Sequence, residues 1–102
     1  MAKFVYLYSG GAMADTPEEQ EKAMQEWGAW FGTLGASVSD MGNPFGPSAT
    51  VGADGASDHG TSHVGGYSII TADSLDDAKA KVTGCPVLSG GGSVEVYEAI
   101  PM

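Results

Sequence analysis

Two imidazoles and a carboxylate fall together in the run Asp58-His59-Gly60-Thr61-Ser62-His63. An imidazole titrates near neutral pH, so His59 or His63 suits the role of general base, with Asp58 orienting its ring. That is the chemistry of a cofactor-independent isomerase or lyase. The competing reading is a solvated loop, because the run is rich in small residues and carries no helix signal. A closed zinc site takes four ligands and Cys85 is remote in sequence, so neither metal nor cofactor is expected. Cys85 follows a predicted helix C-terminus, where the dipole disfavours a thiolate, and reads as a packing residue. Gly90-Gly91-Gly92 precedes a strand and has no Lys after it, so it reads as a turn rather than a phosphate loop. Tyr8, Trp27 and Tyr67 are the candidates for contact with a small ligand, although Trp27 and Trp30 also fit a helix's core face.

The elements that position these residues are legible in part. Phe4-Val5-Tyr6-Leu7-Tyr8, closed by Ser9-Gly10-Gly11, reads as a central strand. Thr16-Pro17-Glu18-Glu19 is a helix start, with Thr16 as N-cap, Pro17 at the first position and Glu19 able to close a capping box. Met24, Trp27, Phe31 and Leu34, flanked by Ala23 and Trp30, form the apolar stripe, and Gly35 is the stop. Gly28 and Gly32 predict a close-packing notch against the sheet or a partner, since glycine in a helix needs a packing reason. Residues 36–42 read as an edge strand. Residues 43–64 form a long excursion with an extra short strand at 49–51 and a turn at Asp54-Gly55. Tyr67 to Ala72 restores a strand, Ser74-Leu75-Asp76-Asp77 caps a short helix ended by Gly84, residues 86–92 are loop, and Ser93 to Ile100 is the last strand.

The order strand, helix, strand, strand, helix, strand predicts an α+β fold of ferredoxin-like split βαβ (βαββαβ) type, with a four-stranded antiparallel sheet. Two helices cover one sheet face only. A set drawn from Phe4, Tyr6, Tyr8, Tyr67, Ile69 and Tyr97 is then expected on the other, which implies a homodimer packed face to face.

With 102 residues the chain has room for a single domain over residues 1–102. Thirteen acidic residues against four Lys and no Arg give a net charge of −9, which argues against nucleic acid and anionic membranes as partners. It also removes the guanidinium fork that grips carboxylates and phosphates. The apolar run Phe4 to Tyr8 is too short for a signal peptide's core or a membrane span, so a cytoplasmic protein is expected.

The chain resembles the YCII-related, or DGPF, family along nearly its whole length. The resemblance rests on Lys3-Phe4-Val5-Tyr6-Leu7-Tyr8, Thr16-Pro17-Glu18-Glu19, Trp27-Gly28-Ala29-Trp30-Phe31, Gly42-Asn43-Pro44-Phe45-Gly46, Gly65-Gly66-Tyr67-Ser68-Ile69-Ile70, Ala72-Asp73-Ser74-Leu75-Asp76-Asp77-Ala78, Gly84-Cys85-Pro86 and Gly92-Ser93-Val94-Glu95-Val96. It implies a dimeric α+β barrel. The family's Asp-Gly-Pro-Phe signature falls on Asp54-Gly55-Ala56-Ser57, which keeps only the first two residues. The YCII branch's acid/base pair, a His on the first helix and an Asp before the Pro after the second, has no counterpart here, since Gly84-Cys85 precedes Pro86. Three functions remain: a small dimeric metabolite-binding or accessory protein, whose ligand is uncharged or weakly polar; the isomerase or lyase using His59 or His63 with Asp58; and, from the resemblance, a protein-interaction module associated with transcription sigma factors.

Overall fold

The computed structural model describes residues 2–10, 15–57, 60 and 63–101. Its elements are β1 (Ala2–Ser9), α1 (Pro17–Leu34), β2 (Val38–Asp40), β3 (Thr50–Gly52), β4 (Gly55–Ser57), β5 (Val64–Ala72), α2 (Leu75–Ala80), α3 (Pro86–Ser89) and β6 (Ser93–Ala99). Four strands make one sheet in the order β2-β5-β1-β6, with each neighbouring pair antiparallel. The β1-to-β2 connection passes over β5, and the β5-to-β6 connection over β1. The result is an α+β fold with a four-stranded antiparallel sheet, compatible with the ferredoxin-like arrangement. Among the described residues, no helix is long and apolar enough to cross a membrane.

Side-chain alternation decides what each face does. Phe4, Tyr6 and Tyr8 of β1 and Ser68, Ile70 and Ala72 of β5 are buried on the helix side, against Trp30, Ala78, Cys85 and Val87. Phe4, Tyr6 and Tyr8 therefore do not belong to the uncovered face, because successive strand residues point to opposite sides. That face carries Val5 opposite Ile69 and Tyr97, and Leu7 opposite Tyr67.

The helix ends follow the local chemistry of the sequence. Thr16 Oγ1 accepts the Glu19 N–H at 3.1 Å, while Glu19 Oε2 accepts the Asp15 N–H at 3.0 Å. Ser74 and Asp77 repeat the device at α2, where Ser74 Oγ accepts from Asp77 N–H and Asp77 Oδ2 from Asp73 N–H, each at 3.0 Å. The last four carbonyls of a helix lack partners within it. At α2 those of Asp77, Lys79 and Ala80 accept from the N–H groups of Lys81, Val82 and Thr83. The fourth, Ala78, accepts from the buried Tyr6 hydroxyl and so ties α2 to the sheet.

Several expectations are corrected. The second strand is only Val38–Asp40, because a 3-10 turn (Gly35–Ser37) follows α1 and an irregularity between Val38 and Asp40 breaks the pairing with β5. Residues 86–89 are helical rather than loop, since Pro86 occupies the first helical position behind an extended Cys85. The extra short strand expected at 49–51 is present as β3, paired with β4 in a hairpin outside the main sheet. Met24 is 75 % exposed and lies outside the core stripe. Gly28 and Gly32 have no atom within 4 Å of where a Cβ would stand, so they are not a packing notch within this chain.

Replacing Tyr6 by Phe strips the Ala78 carbonyl of its buried donor and is expected to cost about 1–3 kcal/mol of stability. An unchanged urea midpoint and slope would show that this bond holds nothing.

Candidate functional site

A cleft of about 910 Å³ opens between the N-terminal half of α1 and the end of the sheet. Tyr8 and Ser68 form its floor, Trp27 and Phe31 one wall, and Pro44 and Val87 also line it. Further along α1, Trp30 is buried against the sheet. Nearer its start, Trp27 stands edge-on to Tyr8 with ring centroids 4.9 Å apart. Gly28 faces the cleft and leaves the space open.

The border made by Met41 to Pro44 depends on one glycine. A Cβ on Gly42 would fall 1.7 Å from the Tyr67 carbonyl oxygen, and its φ of +76° lies where side chains are rarely tolerated. Asp40 Oδ1 accepts the Gly42 N–H at 2.8 Å and fixes the turn. The chain then runs beside β5, with Tyr67 N–H donating to Asn43 and Phe45 N–H to Gly65. This apposition holds the Met41 carbonyl over Ser68, whose Oγ donates to it at 2.6 Å. Tyr8 donates to Ser68 Oγ in turn, at 2.9 Å.

Burial pushes the Tyr8 and Tyr6 hydroxyls above the ordinary phenol range, so both stay protonated donors. Burial likewise pushes the Cys85 thiol up, as desolvation disfavours the thiolate. Cys85 is a packed core residue. At the cleft's edge stand Glu19, Lys22 and Glu26. Among the described residues, no group of three or more His, Cys, Asp or Glu side chains could hold a metal ion.

Of the residues singled out from sequence, Tyr8 and Trp27 meet in this cleft. Tyr67 borders it as well, but its ring stacks on Phe45 at 5.7 Å, on the sheet face it shares with Leu7. His63 is exposed just before β5 and is not among the cleft-lining residues. Asp58 and His59 lie outside the described residues. Sequence reading missed Ser68, Met41 and Gly42. Ser68 had a signal, being the polar member of an inward set that also holds Ile70 and Ala72. In comparisons with known proteins, no family model, no curated protein and no solved structure matches this chain.

The raised phenol pKa values have a signed consequence. The unfolded chain ionises its tyrosines near the ordinary value of about 10, before the folded one does. The stability contributed by Tyr6 and Tyr8 is therefore complete below about pH 10 and is lost as pH rises through their higher folded values. The melting temperature should fall above pH 10, and less steeply in Tyr8→Phe. Equal slopes in both proteins would contradict this assignment.

Proposed function

We propose that this protein is a small homodimeric binding or accessory protein of YCII-related type, holding an uncharged or weakly polar metabolite in the cleft beneath α1. The observation that carries the reading is the cleft itself, an apolar, aromatic-walled space beside a fully paired hydroxyl chain. Concave apolar sites with a few convergent polar groups are where small ligands bind. The absence of Arg from the chain weighs against carboxylates and phosphates, and a net charge of −9 repels anions at long range.

One observation supports a dimer built on the uncovered sheet face. Val5, Leu7, Tyr67, Ile69 and Tyr97 form a contiguous apolar set there, with Tyr97 53 % exposed and Phe45 beside Tyr67 46 % exposed. Packing two sheets by these faces gives the α+β barrel that the sequence resemblance implies.

Filling the cleft tests the ligand reading. Gly28→Leu places a side chain in the open space and should abolish calorimetric binding of neutral aromatic probes while leaving the melting temperature within a few degrees of the parent's. Binding that survives this substitution unchanged would remove the cleft as the site. For the dimer, sedimentation equilibrium should give twice the chain mass at micromolar concentration, and Leu7→Glu should return it to one. A monomer in the parent protein would refute the interface.

A further inference from the structure

The hydroxyl chain at the cleft floor has a direction that heavy-atom positions alone determine. Ser68 Oγ lies 2.6 Å from the Met41 carbonyl oxygen, and a carbonyl only accepts, so the single Ser68 hydrogen is spent there. The 2.9 Å contact between Tyr8 and Ser68 then needs its hydrogen from Tyr8. Both hydroxyl hydrogens are thus consumed within the protein. Ser68 is fully buried, whereas Tyr8 retains 8 % exposure and lines the cleft. Tyr8 therefore has lone pairs and no hydrogen left to offer a ligand. The Tyr6 hydroxyl points its hydrogen elsewhere, to Ala78.

We infer that the ligand donates a hydrogen bond to Tyr8 Oη, so that the site takes neutral, largely apolar molecules carrying a hydroxyl or N–H group and discriminates against their ethers and other acceptor-only analogues. This rests on the cleft being the binding site and adds the polarity of the contact at Tyr8. The walls fit a flat apolar body, since Trp27 and Phe31 stand beside the floor with centroids 5.9 Å apart. A donor ligand satisfies the Tyr8 oxygen, which an acceptor-only ligand would bury against its own lone pairs. A polar group of the protein left unpaired on binding is what makes such discrimination large. Ser68 is a positioning residue, because it acts only by engaging the Tyr8 hydrogen.

The test compares 4-ethylphenol with its methyl ether by titration calorimetry at neutral pH. The ether is the more apolar probe, so a cleft that selects on hydrophobicity alone prefers it. The inference predicts that the phenol binds about tenfold more tightly, the effect of one hydrogen bond made or left unmade at a buried site. Tyr8→Phe should weaken the phenol about tenfold and leave the ether within about twofold. Ser68→Ala should free the Tyr8 hydrogen, strengthen the ether and collapse the preference. Equal binding of the two probes, or a preference that persists in Tyr8→Phe, overturns the inference while leaving the cleft as a site. Binding of neither probe, or binding of both undiminished by Gly28→Leu, overturns the cleft reading and the inference with it.

Discussion

Every feature of this molecule depends on the alternation along β1, which gives one strand two unlike jobs. Phe4, Tyr6 and Tyr8 point beneath the helices, while Val5 and Leu7 point to the uncovered side. A slip of one residue in its pairing with β5 and β6 would exchange these sets and place small aliphatic side chains beneath α1. The aromatic set is the longer one. It reaches across to Trp30, which stacks on Tyr6 with centroids 6.2 Å apart, and to Trp27, which meets Tyr8 edge-on at 4.9 Å. The cleft lies beside these contacts.

Burying tyrosines rather than phenylalanines on the helix side brings two hydroxyls into the core, and each does structural work. Tyr6 completes the carbonyl pairing at the end of α2, which at six residues has little stability of its own. Tyr8 and Ser68 link β1, β5 and the Met41 segment in a single chain of donors, so the turn at Gly42 and the floor of the cleft are one unit. Hydroxyl pairs are strong only where fully satisfied. Trp30 Nε1, by contrast, is a buried donor without a partner among the described residues. Its ring packs near Gly84, where an added Cβ would lie 3.7 Å from Cδ1.

What was legible in the sequence is what local chemistry dictates. Thr16-Pro17 and Ser74 announce helix starts because capping needs only residues within one turn of each other. The hairpin at Asp54-Gly55 is announced in the same way, and Gly55 takes a φ of +126°. The α+β class and the four-stranded antiparallel sheet also follow from the order of the elements. The inward and outward sets of β1 were not legible, because both are apolar and periodicity cannot separate them. Helix geometry misled at Met24, which is exposed, since periodicity marks the inward face but not how wide the buried strip is. The Asp58-His59-Gly60-Thr61-Ser62-His63 run drew attention for its residue types, yet its described histidine does not border the cleft. Ser68 matters through a contact 27 residues away in sequence, which no local pattern reports.

One measurement separates the two faces on which this account depends. Amide and side-chain shifts of the isotopically labelled protein, recorded as 4-ethylphenol is added, should move at Tyr8, Trp27, Gly66 and Ser68 and remain still at Val5, Ile69 and Tyr97. Such a pattern places the ligand on the helix side of the sheet and keeps the opposite side for the partner chain. Shifts centred on Val5, Ile69 and Tyr97, with Tyr8 and Trp27 unmoved, would make the uncovered face the binding surface and contradict the division of roles along β1.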